Sequence, residues 1–329
     1  MQNRIYWLDT AKAIGIVLVV IGHSIPEGFG KLWIYSFHMP LFFLISGIFL
    51  YQNYEKNENY DLFYIKKTTS ILIPYIFFGI INTVLLIPVW GLVETLQGLK
   101  FSGISGGPTW FLLSLFISEI VCYLLIKKFK YSILFFLSIL ISLVIGYIFA
   151  YNNIDIALFL SNIFISIFFV GLGFLAGKYV FKLNNINQSN RTKLFIFSIF
   201  LILTVANYYI ATKTHTRLDM IYNKLGEPYT MIPGAFTGII LVLCLSILMS
   251  YIRIDTLHKF ISYIGKNTLI IFALHMIVNL NFTVYLKPFF HSTPIYASSK
   301  FIIVWLSMFL CIYLINNFMP FMIGKSNKK

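Results

Sequence analysis

Apolar runs of about 20 residues, separated by short polar connectors, follow one another along the chain. A helix of about 20 mostly apolar residues is long enough to cross the hydrocarbon core of a bilayer. The pattern predicts ten membrane spans, at about 6–26, 32–51, 70–92, 109–127, 131–151, 156–177, 194–212, 231–252, 261–282 and 300–322. We find no internal repeat and no soluble segment between them. We therefore expect an all-α integral membrane protein in which residues 1–329 form a single transmembrane domain.

The composition indicates a membrane protein and excludes a soluble one. Hydrophobic residues make up 59% of the chain and charged residues 11%, whereas a soluble domain has about 45–50% and about 25%. The net charge of +14 could suggest a nucleic-acid-binding protein, but that function requires basic residues clustered on one exposed face. Here the basic residues lie in connectors between apolar runs. We therefore expect the lipid bilayer as a partner, and no nucleic acid.

The distribution of Lys and Arg among the connectors predicts the orientation of the spans. If the N-terminus is cytoplasmic, 18 of the 25 basic residues lie on the cytoplasmic side and the other 7 on the opposite side. Cytoplasmic connectors of membrane proteins carry such an excess of Lys and Arg. We therefore predict that both termini are cytoplasmic.

The first span contains Asp9, Lys12 and His23, and ionisable groups inside spans usually face a protein interior or a water-filled cavity. The eleven residues from Lys12 to His23 correspond to a rotation of about 1100° and a rise of about 16 Å, so both lie on one stripe of the helix. Asp9 can pair with Lys12, three residues later. Alternatively, Lys12 extends to the inner surface with Asp9 as its counter-ion, and His23 is a hydrogen-bonded interfacial residue.

Two further histidines are predicted at the depth of His23, on other spans. His38 precedes Pro40, which cannot donate to the helix and therefore predicts a kink or break in the second span. His275 lies past the midplane of the ninth span, on the same side. Neutral imidazole suits proton transfer. Zinc would be a rival explanation, but no carboxylate or thiolate lies at a matching spacing and depth, so we predict no metal.

The fourth span contains Glu119 and begins near Trp110. A buried carboxylate without a partner would take up a proton. Glu119 can therefore be an interhelical hydrogen-bonding group or part of a site. Trp110 can be an ordinary interfacial aromatic residue or a substrate contact.

Four segments resemble the acyltransferase-3 family of membrane O-acyltransferases, over nearly the whole chain. The first is Trp7–Lys12 (WLDTAK), followed after ten intervening residues by His23. The others are Phe37–Gly47 (FHMPLFFLISG), Gly107–Leu112 (GPTWFL) and Ile264–His275 (IGKNTLIIFALH). Each segment alone is weakly diagnostic. Together, in this order and on a frame of ten spans, they are a specific signal.

The resemblance implies a multi-pass protein of the bacterial cell membrane that moves an acetyl or other acyl group from an acyl-CoA. The expected donor is acetyl-CoA, used from the cytoplasmic side. The acceptor would be a hydroxyl of a cell-envelope polysaccharide or glycolipid. Catalysis would involve four residues: Asp9, Lys12, His23 and His38. The anionic cofactor would be bound by three lysines: Lys12, Lys66 and Lys67. Substrate contacts would come from four residues: Trp110, Glu119, Arg217 and His275.

The chain departs from the family pattern at Lys12, where many members have Arg. Members with Lys resemble a branch without an attached extracellular hydrolase-like domain, to which we expect this chain to belong. An ammonium cannot reproduce the bidentate contacts of a guanidinium. Whether Lys12 performs the role of the family Arg is therefore open.

Two other functions fit ten hydrophobic helices. The first is an exporter or transporter of a polysaccharide or lipid-linked glycan, but transporters often consist of two related halves, and we find no such duplication. The second is a noncatalytic membrane scaffold, which leaves the common depth of the histidines unexplained. The sequence identifies neither the glycan, nor the acyl group, nor the oligomeric state.

Overall fold

A computed structural model describes residues 5–56, 59–102, 104, 107–183, 189–214, 218–252, 254–290 and 293–325. These residues form helices and no strand; one isolated β-bridge joins Asp219 and Lys224. The α-helices are α1 (Tyr6–Ser24), α2 (Phe29–Tyr35), α3 (His38–Glu55), α4 (Tyr60–Lys67), α5 (Ile73–Trp90), α6 (Leu92–Ser102), α7 (Trp110–Phe129), α8 (Ile133–Tyr151), α9 (Ile163–Leu183), α10 (Asn190–Lys213), α11 (Pro228–Ser250), α12 (Asp255–Lys266), α13 (Thr268–Leu286) and α14 (Thr293–Phe318).

Ten helical stretches in the described residues are long and apolar enough to cross a membrane, and each overlaps one predicted span. The all-α membrane architecture is therefore confirmed. The cytoplasmic location of both termini stays a prediction.

The predicted boundaries are approximate, and two of the differences from the observed ones have a clear cause. The ninth span was expected at 261–282, but residues up to Lys266 belong to the separate helix α12, and α13 begins only at Thr268. Asn267, with φ −109° and ψ 16°, interrupts the helix between them. The tenth span was expected to reach 322, but α14 ends at Phe318 because Pro320 follows and proline cannot continue an α-helix.

The second span is broken rather than bent. α2 ends at Tyr35 and α3 begins at His38, with Phe37 between them at φ −140° and ψ −16°. Pro40 then lies in the first turn of α3, where its missing N–H leaves no helical hydrogen bond unmade. The break predicted from Pro40 is confirmed, and it places His38 at the start of a helix.

The centre of the bundle is formed by α1, α3 and α9, while α8, α10 and α14 lie at its edge. The most apolar window of the span Phe29–Glu55 is 72% buried, against 11% for α10. α3 and α9 approach so closely that a Cβ on Gly47 would lie 2.0 Å from the carbonyl oxygen of Val170. Close packing through small residues is typical of membrane helices, and here it fixes the helix that carries His38.

Candidate functional site

Three histidines line one cavity of about 320 Å³. His23 comes from α1, His38 from the start of α3 and His275 from α13. Trp110, at the start of α7, lines the same cavity; its contact with a substrate stays a prediction. The segment 218–222 covers one side. We call this the histidine cavity.

The imidazoles of His23 and His275 are direct neighbours, with ring centroids 5.2 Å apart. Tyr35 lies between His38 and His23. The centroid of its ring is 4.7 Å from that of His38 and 5.8 Å from that of His23. The Tyr35 hydroxyl is 3.3 Å from Nδ1 of His23. The three histidine rings predicted at one depth therefore form a chain of contacts, with Tyr35 between His38 and His23.

Backbone carbonyls determine which ring nitrogen carries the proton in two of the neutral histidines. Nδ1 of His38 lies 2.9 Å from the oxygen of Ile34, and Nδ1 of His275 lies 2.9 Å from that of Phe272. Because a carbonyl oxygen only accepts, both Nδ1 atoms donate, and each neutral ring keeps its lone pair on Nε2. The Nε2 of His275 is buried and has no hydrogen-bond partner among the described residues.

Sequence reasoning missed Tyr35 and Asn279. The side-chain amide of Asn279 donates to the backbone oxygen of His23 at 3.0 Å, so α13 holds α1 at the level of the catalytic candidate. Tyr35 lies on a short helix, and its position three residues before His38 is the only sequence signal for it. Asn279 has a clearer one, because it follows His275 by one helical turn.

A second cavity, of about 360 Å³, lies at the Lys12 end of α1. It is lined by Lys12, Lys67 and Glu119 among mostly apolar side chains. We call it the lysine cavity. α1 therefore contributes Lys12 to one cavity and His23 to the other. The sequence predicted that both residues lie on one stripe near the two ends of the span, but not that they line separate cavities.

Each lysine of this cavity is paired with a carboxylate. Nζ of Lys12 lies 2.8 Å from Oδ1 of Asp9, which confirms the predicted contact, and Nζ of Lys67 lies 2.8 Å from Oε2 of Glu119. Ser46 donates a short hydrogen bond to the other oxygen of Glu119. The fully buried Glu119 is thus compensated, and it lies away from the histidines.

Two other predicted site residues lie elsewhere. Lys66 is exposed and does not line the lysine cavity, because successive helix residues point about 100° apart. Its predicted contact with a cofactor stays a prediction. Arg217 lies outside the described residues.

Phenylalanines separate the two cavities. Phe111 contacts Phe272 with ring centroids 4.7 Å apart, and Phe42 lies 6.1 Å and 6.3 Å from these two rings. All three line the lysine cavity, and Phe272 also lines the histidine cavity. The ring of Phe272 is 6.0 Å from that of His275. We call these three rings the aromatic partition.

No group of three or more His, Cys, Asp or Glu side chains in the described ranges has the arrangement of a metal site. The absence of a metal from the reaction stays a prediction.

Ten apolar helices among the described residues, around two cavities that contain ionisable side chains, define a multi-pass membrane protein with a buried site. Residues 5–316 match the acyltransferase-3 family, whose model is described as an acyltransferase domain. The chain therefore belongs to this family of membrane acyltransferases. It is also similar to nodulation protein NolL of Mesorhizobium japonicum (strain LMG 29417 / CECT 9101 / MAFF 303099), with 31% identity over 135 residues. That match covers 36% of this chain and 35% of NolL, so the chain matches about a third of that relative's length. No solved structure matches significantly.

Proposed function

We propose that the protein is an O-acyltransferase of the bacterial cell membrane, which moves an acetyl group from acetyl-CoA to a hydroxyl of a cell-envelope polysaccharide or glycolipid. The donor enters the lysine cavity from the cytoplasm and the acceptor enters the histidine cavity. The observation that carries the proposal is the convergence of His23, His38 and His275 on one cavity, opposite a cavity that contains lysines.

The lysine cavity suits the arm of coenzyme A better than the whole cofactor. Its walls are mostly apolar, and its volume of about 360 Å³ lies at the low end of the range of about 300–1,000 Å³ for ligand pockets. The pantetheine arm is uncharged and narrow, whereas the nucleotide end carries phosphates. We therefore place the phosphates at the cavity entrance, where ammonium groups such as that of Lys12 attract them.

His23 is the general base of the proposed reaction. It takes the proton of the acceptor hydroxyl, whose oxygen then attacks the thioester carbonyl carbon. A carbon–oxygen bond forms, the carbon–sulfur bond breaks, and the departing thiolate receives the proton from the imidazolium. His275 faces His23 with an unprotonated Nε2 and can share that proton. Because protonating both rings would bring like charges together, the pair carries at most one extra proton.

The aromatic partition controls the meeting of the two substrates. Phe272 lines both cavities, so rotation of this ring joins them. The thioester then passes between α3, α7 and α13 toward His23. With the ring in its present position, Phe272 lies between the histidine cavity and the proposed donor site, where it would limit hydrolysis of the thioester by water.

The test is transfer of labelled acetyl from acetyl-CoA by the purified protein. The acceptor is unacetylated envelope glycan isolated from a strain lacking the gene. His23→Ala is expected to lower the rate about 10²- to 10⁴-fold, the usual contribution of a general base. His258→Ala is the matched control. His258 lies in α12, stacks on Tyr6 of α1 and lines neither cavity. Equal rates for His23→Ala and the wild type would remove the mechanism.

The alternative function is export of a polysaccharide or lipid-linked glycan. The closed partition between two opposed cavities favours it as a second candidate, because alternating access also needs a barrier at the centre of the bundle. Movement of glycan across a vesicle membrane without transfer of label from acetyl-CoA would identify an exporter.

A further inference from the structure

We propose that a groove beside the histidine cavity binds the acceptor as an oligosaccharide, with several neutral or amino-sugar units outside the reacting one. This inference rests on the proposed acyltransferase function. The groove has a volume of about 1050 Å³, above the range of about 300–1,000 Å³ that holds a drug-sized ligand. It lies between the C-terminal turns of α8, the residues after it, the segment 222–227 and the first turns of α11.

The groove and the histidine cavity share a wall. Tyr222 lines both. It lies on a hairpin whose ends are joined by two hydrogen bonds between the backbones of Asp219 and Lys224, 2.8 Å and 2.9 Å long. Tyr222 also packs edge-on against Phe159, with ring centroids 5.8 Å apart. A glycan chain lying in the groove can therefore place its terminal or nearest sugar beside the histidines, along the side of Tyr222.

Two buried polar groups that line the groove lack partners. Asn223 is 4% exposed, and neither its amide nitrogen nor its amide oxygen has a hydrogen-bond partner within the described ranges. The same holds for the buried hydroxyl of Tyr147. Leaving buried polar groups unsatisfied is costly, so each such group calls for an explanation. A ligand that fills the groove supplies the missing hydrogen bonds.

The available groups match the chemistry of a sugar. An amide donates and accepts, as a sugar hydroxyl does, and the Tyr147 hydroxyl can do both. Tyr151, which is 88% exposed, adds aromatic surface at the groove. A small number of polar groups within a mostly apolar and aromatic surface is typical of sites that bind small molecules.

The charges in the groove select against an anionic ligand. Asp155 and Glu227 contribute carboxylates, and Lys224 is the only cation among the described residues that line it. The net charge of the lining is therefore negative. A phosphate-rich polymer or an anionic phospholipid head group would be repelled, whereas neutral hydroxyls and ammonium groups of amino sugars can donate to the carboxylates.

Two substitutions remove the unpartnered groups with little effect on folding. Tyr147→Phe removes one hydroxyl. Asn223→Gly removes the amide at a position with φ +51°, which glycine adopts without strain. We expect each variant to raise the KM for the glycan about fivefold, from loss of one or two hydrogen bonds, with kcat and the KM for acetyl-CoA unchanged. If the groups were merely structural, removing them would leave the KM unchanged and raise the melting temperature.

Tyr229→Phe is the matched control for Tyr147→Phe. Tyr229 is 73% exposed, lies next to Pro228 and does not line the groove. Asn223→Asp tests the amide more finely, because Asp also tolerates a positive φ but lacks the two donors. Its KM for the glycan is expected between those of the wild type and Asn223→Gly.

Acceptor length gives an independent readout. Glycan from the deletion strain is cleaved into size fractions, and the KM of the wild type is expected to fall with length until the groove is filled. Equal KM values for single units and long fragments would overturn the proposal. So would loss of copurified phospholipid in the two groove variants with glycan kinetics unchanged, since a lipid would then be the occupant.

A wrong assignment of the groove can be distinguished from a wrong assignment of the acyltransferase function. If the wild type transfers no acetyl to any fraction, the function is wrong. Binding of the same glycan fractions to the wild-type chain, measured by microscale thermophoresis, still tests the groove. We expect Asn223→Gly to weaken that binding about fivefold; unchanged affinity would contradict the proposal.

Discussion

The histidine cavity and the lysine cavity share four helices, α1, α3, α7 and α13, but differ in how their ionisable side chains are paired. In the lysine cavity Lys12 and Lys67 each lie 2.8 Å from a carboxylate. In the histidine cavity His38 and His275 donate to backbone carbonyls, which keeps an unprotonated nitrogen on each neutral ring. The first arrangement holds charge in place, while the second leaves groups ready to exchange a proton. In the proposed reaction, one bundle thus separates donor binding from proton transfer.

Apart from His23→Ala, the largest effect is expected from removing the imidazole of His275 from the histidine cavity. His275→Gln keeps a polar side chain but cannot share a proton with His23, and transfer of acetyl should fall about 10²- to 10³-fold. His258→Gln is the control, since His258 lines neither cavity. A rate equal to that of the control would show that His275 takes no part in the proton transfer that we assign to the histidine cavity.

In the lysine cavity, loss of one partner should destabilise the fold. Lys67→Met leaves the fully buried Glu119 without its cation, which is expected to cost about 3 kcal/mol in the free energy of unfolding. The double variant Lys67→Met/Glu119→Leu should recover most of it, because no uncompensated charge remains. Thermal unfolding of the purified proteins in one detergent measures both. A double variant as unstable as the single one would refute the charge argument.

Removing a ring of the aromatic partition should allow water to pass between the two cavities. Phe272→Ala removes the ring that lines both, so acetyl-CoA should be hydrolysed about tenfold faster in the absence of glycan, because water gains access to the thioester. Phe282→Ala is the matched control: it removes an equally buried ring from the same helix, away from both cavities. Hydrolysis at the same rate in both variants would argue against a barrier at Phe272.

The smallest effect is expected at Tyr35, which orients His23 rather than reacting. Tyr35→Phe removes the hydroxyl that contacts the imidazole and should lower kcat about fivefold, with the KM for acetyl-CoA unchanged. Tyr296→Phe, which removes a hydroxyl bonded to Thr283 at 3.0 Å, is the control. An increase in KM without a change in kcat would assign Tyr35 to binding.

Hydropathy and helix geometry were sufficient to predict most of the fold and part of the site. The ten spans follow from run length, the break before His38 follows from Pro40, and the two ends of the first span follow from the spacing of Lys12 and His23. These features depend on local sequence. The pairing of Glu119 with Lys67 could not be predicted, because it depends on how two distant helices pack.

The aromatic partition was also beyond sequence reasoning. With 34 Phe residues in the chain, nothing marks Phe42, Phe111 and Phe272 as facing inward rather than toward lipid. The separation of α12 from α13 was missed because Ile261 and Ile264 continue the apolar pattern of the ninth span, although Lys266 and Asn267 interrupt it.

The most direct test of the account is the sidedness of transfer. The purified protein is reconstituted into sealed vesicles with labelled acetyl-CoA only inside and unacetylated glycan only outside. Because neither substrate crosses a bilayer unaided, we predict that labelled acetyl appears on the external glycan, and that His23→Ala vesicles leave it unlabelled. Transfer only when both substrates are on the same side would contradict the assignment of donor and acceptor to opposite cavities.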